Sequence, residues 1–378
     1  MTKELGLYIH VPFCMKKCNY CDFNSFAAAD KLIPEYFKAV EKEIQLYSDC
    51  IKDYSIKSVF IGGGTPSYVD SKYVRSLLDK SRQYFRIKPD IEITIETNPG
   101  TLTYDKLEAY RSAGMNRLSI GLQAWQNDLL KYLGRIHSSE DFSKNFLLAR
   151  KSGFENINVD LIFGIPGQTL EDWKETLASV IEYNPSHLSC YSLKIEEGTP
   201  FGKELEAGTL VPVEDELDRE MYWTAIDFLS NNGYKHYEIS NFARTGYECI
   251  HNLVYWNAEE YIGIGAGAHS YFNGSRYNNE YGIKQYITRL NENVIPIVEK
   301  DDIGFDEAMS EYMILGLRLV DGINELDFKS RFKKELNEVY GKEIYKLKGK
   351  GFIEQENGMV KLTKLGLDLA NQVFIEFI

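Results

Sequence analysis

The sequence predicts an α/β fold. Six strand–helix units form a partial (β/α)6 barrel or an open sheet, and a smaller α+β module with a winged-helix-like shape follows. Three observations point there. Short β-branched runs alternate with longer helical patterns over the first 195 residues, the mark of βαβ units around a parallel sheet. That rhythm breaks after residue 200. Helical segments with one hairpin signal then close the chain.

The strand candidates are LYIHV (7–11), SVFIGG (58–63), IEITIET (91–97), RLSIGLQ (117–123), INVDLIFG (157–164) and HLSCYSLKI (187–195). Helical patterns such as EYFKAVEKEIQLY (35–47), KYVRSLLDKSRQYF (72–85) and LEDWKETLASVIEYN (170–184) lie between them. Right-handed crossovers would curl the strands in order, but six units fall short of a closed eight-stranded barrel. A long helical stretch, 213–233, ends the core at about residue 235. Residues 236–300 read as a connecting segment rich in glycine and aromatic residues, including HNLVYW (251–256). Residues 301–378 read as the small module, in which Asn357-Gly358 between two apolar runs signals a hairpin.

The 378 residues carry 56 acidic and 43 basic side chains, a formal charge of −13. That makes the chain a poor non-specific binder of nucleic acid, which needs net positive surface, though a net charge does not exclude a local basic groove. No apolar run approaches the ~20 residues that span a bilayer, and the N-terminal stretch has no secretory-signal pattern. A cytoplasmic protein without a transmembrane segment is expected.

Three of the six cysteines, Cys14, Cys18 and Cys21, fall within eight residues directly after the first strand. This is a thiolate cluster rather than a disulfide framework. Strand C-termini are where sites assemble in parallel α/β folds. Zinc would need a fourth ligand, with His10 the nearest candidate. A four-iron cluster held by three thiolates leaves one iron open. Packing as small buried residues is the plain alternative, and it is the default for Cys50 and Cys190.

Gly62, Gly63 and Gly64 follow the second strand and let backbone approach a ligand closely, or simply make a tight turn. They match no phosphate-binding fingerprint. Glu96, Gln123 and Asp160 place polar groups at or near successive strand ends, where burial without a partner is costly. Outward-facing positions would explain each singly; their recurrence favours one shared polar ligand.

With Tyr20 before the last cysteine, C-x3-C-x2-C resembles the signature of the radical S-adenosylmethionine (SAM) superfamily. LYIHVPFCMKKCNYCDF is similar to the branch containing oxygen-independent coproporphyrinogen III oxidase and the HemW haem chaperones. The likeness extends through GGGTPS (62–67), ETNP (96–99), RLSIGLQ, LGRIHS (133–138) and VDLIFGIPGQT (159–169). It implies a radical SAM core over 1–235, a HemN-type domain over 301–378 and a [4Fe-4S] cluster on Cys14, Cys18 and Cys21. It also implies a SAM site of Tyr8, Tyr20, Gly63, Gly64, Thr65, Glu96, Gln123, Arg135 and Asp160. A planar guanidinium at Arg135 suits the SAM carboxylate.

The oxidases extend the cluster motif by one more cysteine, where this chain has Phe23, and carry a substantial extension before the first strand, where this chain has seven residues before Tyr8. Both departures favour the haem chaperones, whose H-N-x-x-Y-W pattern fits HNLVYW. His251 is then the expected haem ligand, with Tyr255 and Trp256 as packing faces and Cys249 or His269 as alternatives for the iron. The resemblance implies haem delivery to haem proteins such as membrane respiratory enzymes, dimerisation promoted by the cluster and peripheral contact with the membrane. Coproporphyrinogen III dehydrogenation, or a radical SAM reaction on an unknown substrate, is the alternative.

Overall fold

The expected strands lie side by side in the computed structural model, which describes residues 3–378. They are β1 (Lys3–Val11), β2 (Tyr54–Gly63), β3 (Ile87–Thr97), β4 (Arg117–Gln123), β5 (Asn156–Phe163) and β6 (His187–Ser192). Each pairs in parallel with the next. The helices between them include α1 (Ile33–Tyr47), α2 (Ser71–Tyr84), α3 (Tyr104–Ser112), α4 (Ser139–Lys151) and α5 (Leu170–Ile181), and α6 (Asp215–Asn231) follows β6. Local chemistry sets their starts. Asp70 accepts from the Lys72 amide at α2, and Ser138 with Asp141 and Thr169 with Asp172 form reciprocal capping boxes at α4 and α5.

Alternation along the strands builds two different faces. Leu7 and Ile9, Val59 and Ile61, Ile93 and Ile95, Leu118 and Ile120, Ile157 and Val159, and Leu188 join the large core under the helices. The intervening residues face the inside of the curled sheet and are mostly polar. Asn158 Nδ2 donates to Ser119 Oγ (2.7 Å) and to Asp160 Oδ1 (2.8 Å). His187 bonds Asn158 Oδ1 (2.6 Å) and the Tyr237 hydroxyl (2.9 Å). Buried polar groups are tolerable on this scale because they satisfy one another.

Residues 236–300, expected to connect, instead extend the sheet at both edges. The strands β7 (Lys235–Glu238) and β8 (Asn241–Ala243) join antiparallel beyond β6. The helix α7 (Ile250–Trp256) follows. Then β9 (Tyr261–Ile264) pairs in parallel with β1, and β10 (His269–Phe272), β11 (Ser275–Asn279) and β12 (Ile297–Asp302) continue outwards. The order is β12-β11-β10-β9-β1-β2-β3-β4-β5-β6-β8-β7. The glycine-rich, turn-rich sequence hid these short strands.

The C-terminal module has its own core, including Met313, Phe328, Leu347, Val360 and Phe374. It comprises α8 (Phe305–Gly316), β13 (Ile323–Asn324), α9 (Glu325–Phe332), α10 (Leu336–Gly349), β14 (Ile353–Glu356) and β15 (Met359–Leu362). The predicted hairpin joins β14 to β15, with Asn357 and Gly358 at φ 52° and 76°. Two positive φ angles match the twist of the flanking strands. This is the α+β, winged-helix-like arrangement expected. Among the described residues no helix is long and apolar enough to cross a membrane.

Candidate cofactor site

The cysteine loop leaves β1 at the C-terminal end of the parallel strands. A short ladder pairs Phe13–Cys14 with Phe26–Ala27 and closes the loop at its base. Asn19 holds its far side against the LGRIHS turn, donating from Nδ2 to Tyr132 O at 2.8 Å. Cys14, Cys18 and Cys21 are free thiols, partly exposed, and all three line one cavity of about 420 Å³. Burial raises the Cys14 and Cys21 thiols above their ordinary pKa. Among the described residues no three His, Cys, Asp or Glu side chains converge on a point where a single ion could sit. Three thiols spread along a cavity wall suit a multi-iron cluster better than one zinc ion.

The same cavity receives Tyr20, Gly63, Gly64, Thr65, Glu96, Gln123, Arg135 and Asp160. Sequence positions far apart therefore meet, as expected for a shared ligand. The Gly63 amide donates to Glu96 Oε2 at 2.9 Å. Burial, with Asp160 nearby, pushes the Glu96 carboxyl up to about 7 against that hydrogen bond. Asp160 is also raised by burial, opposed by donors that include Ser119 Oγ at 2.8 Å. Gly63 must be glycine: its φ is 110°, and a Cβ there would lie 2.3 Å from the His10 ring. Gln123 has φ 76° at the strand end, a strained conformation for a residue with a side chain.

Arg135 is held from two sides. Its Nη2 donates to Asn98 Oδ1 and to Gly121 O, both at 2.6 Å, and Nη1 reaches Cys18 Sγ at 3.5 Å. Asn98 lies within ETNP (96–99). Its Nδ2 donates to Thr65 Oγ1 (2.9 Å), which in turn donates to Cys14 Sγ (3.5 Å). A continuous polar chain thus runs from Cys14 through Thr65, Asn98 and Arg135 to Cys18. Nothing in the spacing announces Asn98; only the three-dimensional meeting of the β3 end with the LGRIHS turn does.

A second cavity of about 390 Å³ adjoins the first, and both are lined by Phe23, Gly63 and Glu96. Its walls include Tyr8, His10, Tyr255, Tyr261, His269 and Tyr281. Tyr8 therefore lines this neighbour rather than the cavity of the other expected SAM residues. Its hydroxyl bonds His10 Nδ1 (2.9 Å), and His10 Nε2 bonds Asn24 O (2.8 Å).

His251 lines neither cavity. It lies 1 % exposed, its ring stacked on Phe60 at 5.3 Å and packed against Gly6. Nδ1 bonds Ser58 Oγ and Nε2 bonds the Tyr255 hydroxyl, each at 2.9 Å. Burial depresses its pKa to about 3. Both ring nitrogens are engaged within the protein, so a haem iron on His251 would have to replace one of these bonds. The placement follows from α7, whose first amides are capped by the Glu92 carboxylate (Ile250 N and His251 N, 3.1 Å each). Cys249 is likewise buried, its thiol pushed up to about 12, and Trp256 packs under Arg318. Of the expected haem group around α7, Tyr255 lines the second cavity.

Residues 8–180 match the model of the radical SAM superfamily and residues 306–369 that of the HemN C-terminal domain. The chain is 37% identical over 372 residues, 98% of each chain, to heme chaperone HemW of Bacillus subtilis (strain 168). It is 41% identical over 267 residues to heme chaperone HemW of Escherichia coli (strain K12), 70% of this chain and 69% of that one. Its structure is similar to coproporphyrinogen III oxidase (HemN) from Escherichia coli, a radical SAM enzyme. The TM-score is 0.87 with 24% identity, over 99% of this chain and 90% of the other.

Proposed function

The chain belongs to the HemW family of the radical SAM superfamily, and from that premise we propose that it is a haem chaperone. In this reading Cys14, Cys18 and Cys21 hold a [4Fe-4S] cluster, SAM binds beside it, and haem is carried for delivery to haem proteins such as respiratory enzymes. The observation that carries the reading is the convergence of three thiols and eight SAM-type residues on one cavity, with an aromatic cavity opening from it. When bound, the cluster supplies one-electron chemistry next to SAM.

The residues divide the work by their chemistry. Arg135 presents a guanidinium fixed by Asn98 and Gly121, ready for a carboxylate. Glu96, Gln123 and Asp160 offer acceptors to the amino group and ribose hydroxyls. Gly63 and Gly64 let backbone come close, Thr65 steadies Cys14, and Tyr20 contributes an aromatic wall. Tyr8 acts from the neighbouring cavity through His10. Phe23, 63 % exposed, stands at the mouth of both cavities where the oxidases carry a further cysteine. That substitution favours haem carriage over coproporphyrinogen oxidation. We place residues 1–235 in the radical SAM core and 301–378 in the HemN-type domain, and include 236–300 as the segment that completes the second cavity. A cytoplasmic location, visits to the membrane surface during delivery and a cluster-dependent homodimer complete the proposal.

Anaerobic reconstitution followed by haem titration, with coproporphyrinogen conversion assayed in parallel with SAM, tests it. Expected are iron and sulfide at four each per chain, stoichiometric haem uptake and no conversion. Robust decarboxylation of coproporphyrinogen would overturn the chaperone reading.

A further inference from the structure

Resting on the haem-chaperone reading, we propose that the haem sits in the second cavity with His269 as its axial iron ligand. Four of the six histidines are buried: His10, His137, His187 and His251. His10, His187 and His251 have both ring nitrogens hydrogen-bonded. His137 bonds Leu122 O through Nε2, and its Nδ1 is buried without a partner. His236 bonds Ile239 O and stacks on Phe242 at 4.7 Å. Among the described residues His269 alone is an exposed histidine with no hydrogen bond to its ring, and it lines a cavity. An imidazole with a free nitrogen is what haem iron needs.

The cavity suits a flat macrocycle. Its volume falls in the range of small-molecule sites. Tyr255 and Tyr261 meet edge to face at 4.6 Å, and Tyr281 stands against His269 with ring centroids 6.4 Å apart. These aromatic surfaces can sandwich a porphyrin plane. Desolvation lowers the His269 pKa, which favours the neutral form of the imidazole.

The site is also tied to the cysteine loop. Asn24, three residues after Cys21, donates from Nδ2 to Ala266 O (2.9 Å) and Tyr281 O (3.0 Å). It clasps the turn that carries His269, and a Cβ at Gly267 would collide with it. The two cavities share Phe23, Gly63 and Glu96, so haem would lie against the cluster and SAM pocket. His251 then has a positioning part: through Tyr255 it sets one aromatic wall.

The test uses the full chain with its cluster reconstituted, titrated with hemin and read by absorption and electron paramagnetic resonance. Wild type should show an imidazole-ligated iron. His269→Ala should lose that signature and bind roughly tenfold or more weakly, and added imidazole should restore the signature. His251→Ala should keep an imidazole ligand. His269→Ala faces solvent on β10 and breaks no hydrogen bond, so unchanged cluster absorption certifies its fold. Wild-type spectrum and affinity in His269→Ala, no rescue by imidazole, or a phenolate or thiolate signature in wild type would each overturn the assignment. Absence of haem uptake by the wild type would instead remove the chaperone reading itself.

Discussion

Asn98→Ala cuts the polar chain between the outer two of its anchors. It removes one neutral bond, Nδ2 to Thr65 Oγ1 at 2.9 Å, and one charge-assisted bond, Arg135 Nη2 to Oδ1 at 2.6 Å. Such bonds are worth about 1 and about 1.5–3 kcal/mol respectively. Asn98 is half-buried at a cavity wall, so water replaces part of both, and Gly121 O still holds Arg135. A net loss of about 1–2 kcal/mol remains, which is close to tenfold in a dissociation constant. SAM affinity, measured by calorimetry on the anaerobically reconstituted protein, should fall by about that factor. Thr65→Val separates the two halves of the chain. It spares the Asn98–Arg135 bond but removes the hydroxyl that donates to Cys14 Sγ. SAM affinity should then fall less than in Asn98→Ala, while loss of a donor to a cluster thiolate should lower the midpoint potential by roughly 20–60 mV. A SAM dissociation constant for Asn98→Ala within about twofold of wild type, at full cluster content, would refute the idea that Asn98 holds Arg135 in place.

Gly63→Ala forces a side chain into φ 110° and onto the His10 ring, so thermal stability should drop by about 2–4 kcal/mol and cluster incorporation should suffer; an unchanged melting curve would contradict the close approach. His251→Ala empties a buried ring site and orphans Ser58 and Tyr255, with an expected loss of about 2–4 kcal/mol in urea unfolding. Below its ordinary pKa of 6.5 the unfolded chain takes up the His251 proton first, so that histidine's contribution is complete above pH 6.5 and fades as pH falls towards 3. Glu96 has the opposite sign: its raised pKa makes its contribution complete below 4.5 and lost as pH rises through 7. Glu96→Gln should therefore gain on the order of 2 kcal/mol relative to wild type at pH 8, with the difference vanishing near pH 4.5 in parallel denaturation curves; a gain independent of pH would exclude the charge as its cause.

How far the sequence reaches depends on whether a feature is local. The six parallel strands and the Asn357-Gly358 hairpin are local patterns, and both stand where they were expected. The cysteine loop was legible because its three thiols lie within eight residues, and Glu96, Gln123 and Asp160 because each marks a strand that feeds one sheet end. Asn98 was not, because its value comes from touching Thr65 and Arg135 at once. The outer strands β9 to β12 were missed for another reason. Gly263, Gly265 and Gly267 read as loop formers, yet an alanine Cβ at Gly263 would lie 2.1 Å from His269 O, so glycine there serves tight strand packing.

HNLVYW shows how the surroundings of a motif decide which of its side chains faces a cavity. Whether a histidine faces a ligand depends on the roll of the helix that carries it, and here the roll is set from outside the motif. Glu92, 159 positions before His251, caps the start of α7 and lies 3.9 Å from the buried Arg117 guanidinium. With that end pinned, His251 points between Gly6, Ser58 and Phe60, and Tyr255, one turn on, takes the cavity side. A period-3.6 helix puts residues i and i+4 on one face, so the pair acts as a unit: the imidazole anchors, and the phenol it bonds shapes the wall. The free imidazole comes instead from β10, whose antiparallel place beside β9 presents His269 to the same space. The motif and the iron-ready histidine thus reach one cavity from different elements, α7 and β10, which neither the spacing of HNLVYW nor the burial of its histidine discloses alone.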